Sequence, residues 1–300
     1  MDNPIDGRKI IFEKPDPRKL FDQGFMCIDM HLHSKCSDGS ASVNAIMKKA
    51  KKNSFGIALT DHNEIKGSLN AYSNACQRSP VIPAIEVNSS SGPDVLLYFY
   101  ETSHLEDYFR NYIKNNRSLD PNGKTSVSFY DIIDSARKYD CLVVGAHPAG
   151  VAYKNIFKLV KKENTYEYLK KLHGLEIMNG EMSRKVNKNA IVWNYNLGIC
   201  YTGGSDAHTL KEVGHVLTCA RADNYQEFLD KIKKQKNFVI GKELQVRRKP
   251  VVYTSIFRKH APYFHPRIIE RIGNGFKKKP DVVIDEMEYV PEKELKEYDD

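Results

Sequence analysis

The stretch from Cys27 to Gly39 constrains this chain more than any other, because it places three side chains of metal-ligating type within eight residues. These side chains are His31, His33 and Asp38. The residues around them alternate in the pattern of a β-strand, which separates two sets of side chains. One face carries Met26, Ile28, Met30 and Leu32, and the other carries Cys27, Asp29, His31 and His33. Two imidazoles therefore project together from a strand end, a common way for proteins to bind a transition metal.

Apolar runs of strand length alternate with segments of helical periodicity along most of the chain. Strands are predicted at 26–33, 57–59, 81–87, 95–100, 142–146, 175–178, 199–202 and 216–220. Helices are predicted at 42–50, 67–76, 104–115, 129–139, 155–171, 183–196 and 225–234. About seven repeats of strand, loop and helix, with polar residues just past the strands, are typical of an α/β barrel.

The length of 300 residues and the hydrophobic fraction of 41% suit one large α/β domain with an appendage. We expect an irregular lead-in at 1–25 and a barrel domain at 26–244. Residues 245–300 form a predicted C-terminal extension that is first basic and then acidic. The barrel domain is therefore expected to carry the functional site.

The sequence favours a soluble, cytoplasmic protein without a membrane partner. No apolar run approaches the roughly 20 residues that span a bilayer, and the amino terminus lacks the features of a targeting signal. The six cysteines are scattered without a Cys-x-x-Cys pair. Reduced, mostly buried thiols are expected rather than a disulfide framework or a Cys-rich zinc module.

The net charge of +8 is unevenly distributed, because acidic residues are concentrated in the last twenty positions. The remainder of the chain is strongly basic, which favours attraction to phosphate-rich ligands. Solvated lysines on the outer faces of helices are the alternative explanation for most of this charge.

Eight side chains of metal-ligating type follow the predicted strands. They are His31, His33, Asp38, His62, Glu86, His147, Asp206 and His208. A single histidine at a strand end is more often hydrogen-bonded than metal-bound, but closing a barrel would bring all eight to one mouth. One ion takes four to six ligands, so this set predicts two or three adjacent metals.

These motifs resemble, in order, those of the PHP (polymerase and histidinol phosphatase) family. They are His31-x-His33, Ser37-Asp38-Gly39, Thr60-Asp61-His62, Glu86, His147-Pro148 and Ser205-Asp206-Ala207-His208. The resemblance covers about residues 26–240 and implies a distorted (β/α)7 TIM-like barrel with a C-terminal extension. It also implies a metal-dependent phosphoesterase whose cofactors are two or three divalent ions, Mn, Fe or Zn.

The resemblance further implies how the ligands are shared among the ions. The implied first set is His31, His33, Glu86 and Asp206, and the implied second set is Asp38, His62 and His208. A third ion is implied between His147 and a bridging Glu86. Many relatives carry another histidine on the strand after the glutamate, but the run from 93 to 97 has none. Asp94 is a substitute candidate and His104 lies further on, so a two-metal centre remains an alternative.

The chemistry expected of such a centre is in-line attack of hydroxide on phosphorus, since clustered cations lower the pKa of bound water toward ~7. Developing negative charge on the phosphoryl group must be met by a cationic side chain. Arg184, at the start of a predicted helix, is the first candidate for this role and Lys35 is the second. Asp61, beside His62, is a catalytic candidate as an acid, a substrate ligand or a group that orients a metal ligand.

Three further residues each have two interpretations. Asp29 either orients a ligand imidazole or is a solvated residue. Glu176 requires a partner if it is buried, and an ordinary salt bridge serves as well as a metal. Cys36 is either a soft metal ligand or a small loop residue.

Three functions compete at this point. The first is hydrolysis of a small phosphorylated substrate of the nucleotide or sugar phosphate class. The second is a nuclease, favoured by basic and aromatic residues at 245–280, although no recognisable nucleic-acid-binding module accompanies them. The third is a non-catalytic metal-binding scaffold, which the near-complete ligand set disfavours.

Overall fold

The computed structural model describes residues 9–120, 123–150 and 154–243, and the predicted extension at 245–300 lies outside these ranges. Within them, ten strands form two five-stranded sheets. The strands are β1 (Ile10–Ile11), β2 (Met26–Leu32), β3 (Gly56–Leu59), β4 (Ala84–Asn88), β5 (Asp94–Phe99), β6 (Cys141–Gly145), β7 (Gly174–Asn179), β8 (Cys200–Gly204), β9 (Val216–Ala220) and β10 (Asn237–Gly241). The α-helices are α1 (Pro17–Asp22), α2 (Val43–Asn53), α3 (Lys66–Ser73), α4 (Thr102–Tyr108), α5 (Phe129–Ala136), α6 (Ile156–Glu163), α7 (Glu167–Lys171), α8 (Arg184–Leu197) and α9 (Tyr225–Lys233). A π-helical turn, Phe109–Ile113, continues α4.

The two sheets combine parallel and antiparallel pairs. The first has the order β1-β10-β9-β2-β3 and the second has the order β4-β5-β6-β7-β8. Strands β2 and β3 are parallel, as are β6, β7 and β8, but β5 is antiparallel to both of its neighbours. The connection from β4 to β5 spans only residues 89–93, which is too short for a helical crossover. The α/β class is confirmed, but the described strands form two sheets rather than the closed (β/α)7 barrel expected from the sequence.

The edges of the two sheets meet through isolated backbone bridges. His62, just beyond β3, pairs with Glu86 on β4, and Leu32 pairs with Ala207, just beyond β8. Gly204 ends β8 so close to β2 that a Cβ atom there would lie 2.4 Å from the His31 backbone nitrogen. The ends of β2, β3, β4 and β8 therefore converge even though no continuous ladder joins the two sheets within the described ranges.

Most predicted elements are present in the structure. All eight predicted strands occur, with ends that shift by at most three residues. Ser42 and Ser183 cap α2 and α8, because each side-chain oxygen accepts a hydrogen bond from a first-turn amide. The single helix predicted at 155–171 is instead two helices, since Asn164 adopts a left-handed backbone with φ 53° that ends α6.

The structure adds α1, β1 and β10, which the sequence pattern does not predict. Two of these elements lie in the lead-in that was expected to be irregular. Strand β1 is only two residues long, and Pro17 occupies the first position of α1, where a missing N–H group is tolerated. The proposed domain boundaries themselves stay a prediction.

Cys27 on β2 and Cys219 on β9 form a disulfide, so the expectation of reduced thiols is wrong for this pair. The two residues are register partners on antiparallel strands, although 192 positions separate them along the chain. Only strand pairing creates this proximity, and no local cysteine spacing indicates it. The other four cysteines are thiols, and Cys36 is exposed.

Apolar side chains form three buried clusters around the strands. Tyr98 is fully buried, and its hydroxyl donates a 2.8 Å hydrogen bond to the backbone oxygen of Met30 on β2. This contact ties the second sheet to the strand that carries the paired histidines. No helix in the described part of the chain is long and apolar enough to cross a membrane.

Candidate metal centre

The converging strand ends carry all eight predicted ligands, and every one of them is buried. Their ligand atoms form three overlapping groups in which all atoms lie within 4.8 Å of one another. The groups are His33, Asp38, His62 and His208; His31, His33 and Glu86; and Glu86, Asp94 and His147. Asp206 joins the first two groups through contacts of its carboxylate with the histidines. The structure thus assembles the predicted set and adds Asp94, which the sequence offered only as a substitute.

His31 lies where several acceptor atoms face one another. Its Nε2 atom is 3.1 Å from Glu86 Oε2, 3.4 Å from Asp206 Oδ1 and 3.2 Å from His33 Nε2. Its Nδ1 atom is 2.9 Å from Glu176 Oε1, which favours a proton on Nδ1 and a lone pair on Nε2 in the neutral ring. Two imidazole nitrogens and two carboxylate oxygens then meet around one point, an arrangement that a cation would stabilise.

Asp38 lies at the centre of the group that includes His62 and His208. Its Oδ2 atom is 3.1 Å from His208 Nε2 and 3.6 Å from His62 Nε2. On the far side of its ring, His208 Nδ1 is 3.1 Å from Glu181 Oε1. The sequence analysis missed Glu181, although its position just past β7 is that of the other site residues. The ring of His208 is therefore held on one side by a carboxylate while its Nε2 atom faces the group.

The third group contains a cation of the protein itself. His147 Nε2 is 3.3 Å from Glu86 Oε1 and 3.7 Å from Asp94 Oδ2. Lys154 Nζ lies 2.8 Å from the same Asp94 Oδ2 atom, and the lysine side chain is 30% exposed. Lys154 was not predicted as a site residue, because only the fold brings it into contact with Asp94 on β5.

The unpaired atoms of the site indicate what it could hold. His33 Nδ1 and Glu86 Oε1 are buried without a well-aligned hydrogen bond. Such atoms are rare and costly in folded proteins unless a ligand or an ion pairs with them. Imidazoles and carboxylates in this mixture suit Mn, Fe or Zn, so the residues present fit divalent metal ions.

Glu176 and Asn179 on β7 hold the ligands from outside. Glu176 Oε2 accepts hydrogen bonds from the His147 backbone N–H group at 2.8 Å and from Asn179 Nδ2 at 3.0 Å. Asn179 Nδ2 also donates to Asp206 Oδ2 at 3.0 Å. Glu176 is thus buried and satisfied by three site residues, which favours an orienting role over a role as metal ligand.

The charges within the site shift the pKa values of its members in opposite directions. Burial lowers the pKa of His31, but the carboxylates of Asp206, Glu176 and Glu86 outweigh it and hold the pKa well above its usual range. Burial raises the pKa of Glu86, yet the neighbouring His31 and His62 bring it well below its usual range. Burial, together with His62 and His208, lowers the pKa of His33 to about 4. Without metal, the site therefore contains charged carboxylates, a protonated His31 ring and a neutral His33 ring.

Two ligands stand on strained backbone. His147 has φ 28° and Asp206 has φ 51°, values that non-glycine residues seldom adopt. Asn63, next to His62, is a third case with φ 50°. Strain of this kind persists only where the surrounding structure imposes it, and it concentrates at functional sites. All three residues lie just past strands, where the ligand side chains converge.

Asp61 is fully buried, and its recorded partners belong to the turn that precedes Asp38. Its Oδ1 atom accepts hydrogen bonds from the Ser34 backbone N–H group at 2.7 Å and from Ser37 Oγ at 2.8 Å. Its Oδ2 atom accepts from Ser34 Oγ at 2.7 Å. These contacts favour a role in positioning the turn over a role as acid.

The contacts of Asp29 also bear on its two interpretations, a group that orients a ligand imidazole or a solvated residue. It is fully buried rather than solvated, and it accepts hydrogen bonds from the Ser205 backbone N–H and hydroxyl groups at 2.8 and 2.6 Å. The Gly214 N–H group donates to it at 2.7 Å. Burial raises the pKa of Asp29 to about 6. Asp29 therefore anchors the loop that carries Asp206, and it meets the ligand residue His31 at the backbone N–H group, 3.5 Å away.

The two predicted phosphate clamps, Arg184 and Lys35, have different surroundings. Arg184 forms a two-point ion pair with Glu243, and its guanidinium carbon lies 3.8 Å from the Phe12 ring centroid. Lys35 is exposed, as is Cys36 beside it. His104 packs against the Tyr139 ring and does not join the three groups.

Comparison with known proteins is consistent with this geometry. A model of the PHP domain family matches residues 29–248 of the chain. No curated protein matches the sequence.

Two solved structures show the similarity of fold. One, from Bacteroides vulgatus, is a two-domain protein containing a predicted PHP-like metal-dependent phosphoesterase. It is 16% identical to this chain, with a TM-score of 0.55, and the match covers 84% of this chain and 74% of that protein. Another is the lesion-specific endonuclease PfuEndoQ from Pyrococcus furiosus, with 16% identity and a TM-score of 0.56. That match covers 72% of this chain and 57% of the endonuclease.

Proposed function

Because this chain belongs to the PHP domain family, we propose that it is a metal-dependent phosphoesterase acting on a small phosphorylated substrate of the nucleotide or sugar phosphate class. One observation carries the proposal: His31 Nε2, His33 Nε2 and Glu86 Oε2, three buried atoms that can each ligate a metal, lie within 3.1 to 3.4 Å of one another. Two imidazole nitrogens and a carboxylate oxygen at this spacing can share one divalent ion once the histidines are neutral.

We assign the ligands to the sets that the family resemblance implies, and the contacts of His33 with Glu86 and Asp206 support the first of them. The proposed first set is His31, His33, Glu86 and Asp206, and the proposed second set is Asp38, His62 and His208. When bound, divalent ions in such a centre supply Lewis acidity toward a phosphoryl oxygen and lower the pKa of water toward ~7. The protein's own contribution is orientation, since Glu176 and Glu181 each lie within 3.1 Å of an imidazole Nδ1 atom.

The two residues predicted from the sequence to be catalytic, Asp61 and Arg184, are given more restricted roles in this proposal. Asp61 is given the role of holding the turn that presents Asp38, through its contacts with Ser34 and Ser37. Arg184 can clamp a phosphate only after leaving Glu243, so it is proposed as a clamp for the substrate-bound state alone.

Metal analysis and hydrolysis of model esters test the proposed function together. Protein purified without chelator should contain about two or three ions per chain. With added Mn, it should hydrolyse an aryl phosphate monoester faster than the matching diester. His33→Ala should abolish hydrolysis, because His33 contributes atoms to two of the ligand groups. A metal-free protein, or a His33→Ala variant with full activity, would refute the proposal.

A nuclease is the second candidate, and it is favoured by the basic, aromatic-bearing segment at 245–280. Positive charge with stackable rings suits single-stranded nucleic acid. The structural similarity to an endonuclease that acts at DNA lesions concerns the fold, and it is consistent with either reading. A preference for the diester, or trimming of short oligonucleotides that is lost when 245–300 is removed, would support this candidate over the first.

A further inference from the structure

The third ligand group differs from the other two in one respect: a lysine ammonium, which cannot become a metal ligand while it stays charged, contacts one of its carboxylates. In the group around His31 and in the group around Asp38, the facing atoms are imidazole nitrogens and carboxylate oxygens. In the third, Lys154 Nζ is 2.8 Å from Asp94 Oδ2, closer than the 3.7 Å that separates His147 Nε2 from the same oxygen. The ammonium therefore stands nearest to the ligand oxygen that is specific to this group.

Described residues near Lys154 form backbone hydrogen bonds on both sides of it. The Gly150 N–H group donates to the His147 carbonyl at 2.7 Å, and the Ile156 N–H group donates to the Pro148 carbonyl at 3.0 Å. Asn155, which is buried, caps α6 by accepting a hydrogen bond from the Lys158 N–H group at 2.9 Å. Lys154 therefore directly precedes the residue that caps α6.

Charge balance decides between a metal ion and an ammonium at this place. The carboxylates of Glu86 and Asp94 attract a cation, and Lys154 already supplies one at contact distance from Asp94. A divalent ion bound by Glu86, Asp94 and His147 would lie close to that ammonium and be repelled by it. The two cations therefore compete for the same carboxylate oxygen.

We propose that the Lys154 ammonium takes the place of a third metal ion, so that the centre consists of two metal ions and one lysine. This inference rests on the proposed function for the identity of the first two sites. The ammonium neutralises Asp94, and its partly exposed side chain lets it donate a hydrogen bond to an oxygen of a bound phosphoryl group. A lysine in this role adds one positive charge and no water ligand of its own.

Metal content, measured by elemental analysis after dialysis against excess Mn, tests the inference directly. The unmodified chain should hold about two ions, and Lys154→Met should hold about three, because the freed carboxylate can then bind metal. Lys154→Arg keeps the charge and should stay at about two. The double variant Lys154→Met with Asp94→Asn should return to about two, since it lacks the ligand that the third ion would need.

Lys171→Met is the matched control, because Lys171 Nζ also lies 2.8 Å from a carboxylate, that of Asp134, but on the surface. It should leave the metal content unchanged. If Lys154→Met does not fold, Lys154→Gln serves in its place, and a count of three ions in the unmodified chain overturns the inference without any variant.

The result separates this inference from the proposed function. An unmodified chain that holds three ions and hydrolyses esters would overturn the role of Lys154 and leave the phosphoesterase intact. A Lys154→Met variant that stays at two ions would also overturn it. A chain that holds two ions but hydrolyses no phosphate ester would refute the phosphoesterase while supporting the lysine as the third cation.

Discussion

At the scale of single residues, the site depends on carboxylates that stand behind its ligands. Glu176 contacts His31 Nδ1 at 2.9 Å and accepts hydrogen bonds from His147 and Asn179. Glu176→Gln keeps the shape of the side chain but replaces one accepting oxygen by an amide NH2 group, which cannot accept the hydrogen bonds that these residues donate. We expect metal affinity to fall by about 10–100-fold, as measured by competition with a chelating dye. Glu163→Gln is the control, since Glu163 is exposed and accepts from Tyr130; equal affinities in both variants would contradict the prediction.

A substitution of Asp61 can show whether this residue is a catalytic acid or positions the turn that precedes Asp38. Its carboxylate satisfies three donors on Ser34 and Ser37, and an asparagine would leave at least one of them unpaired. We expect Asp61→Asn to lower the free energy of unfolding by about 1–3 kcal/mol and to weaken metal binding at Asp38. Thermal unfolding and metal content measure the two effects. Loss of turnover with unchanged stability and metal content would instead identify Asp61 as a catalytic acid.

At the scale of elements, the approach of β8 to β2 is the contact on which the centre depends. Gly204→Ala would place a Cβ atom 2.4 Å from the His31 nitrogen and from His31 Cβ. The strands must then separate, so we expect loss of metal binding together with a lower melting temperature. Gly198→Ala is the matched control: Gly198 has φ +64° and nothing within 4 Å of its added Cβ. It should cost about 1–2 kcal/mol of stability and leave the metal content unchanged.

The elements also show which parts of the fold a sequence can predict. The buried strands of the second sheet were predictable because a short, continuous apolar run such as Leu142 to Ala146 is typical of a strand that is buried on both faces. Their directions were not, since the antiparallel course of β5 follows from a short connection and not from its own residues. The same limit applies to Glu181 and Lys154. Each is an ordinary charged residue in the sequence, and only strand order brings it to the centre.

At the scale of the whole molecule, the eight predicted ligands come from segments spread over residues 31 to 208. Their convergence was predictable because ligands at strand ends meet wherever the strands meet, in two sheets as in a closed barrel. The Cys27–Cys219 disulfide was not predictable, because its partners are joined only by the pairing of β2 with β9. Long-range strand pairing is therefore the information that the sequence patterns lacked.

The whole centre should release protons when it binds metal. Carboxylates outweigh burial and hold the pKa values of His31 and His208 well above the usual range, so both rings carry a proton near pH 7 in the metal-free chain. A metal ion binds only the neutral ring and must displace each proton. As the pH is lowered below the pKa values of these rings, the metal affinity should therefore fall by about tenfold per pH unit for every proton displaced. His33, with a pKa of about 4, is already neutral and contributes none. Calorimetry at pH 7 in buffers of different ionisation enthalpy should count about two protons or more, and one fewer in His208→Asn. A binding heat that does not depend on the buffer would show that these histidines are not displaced by metal.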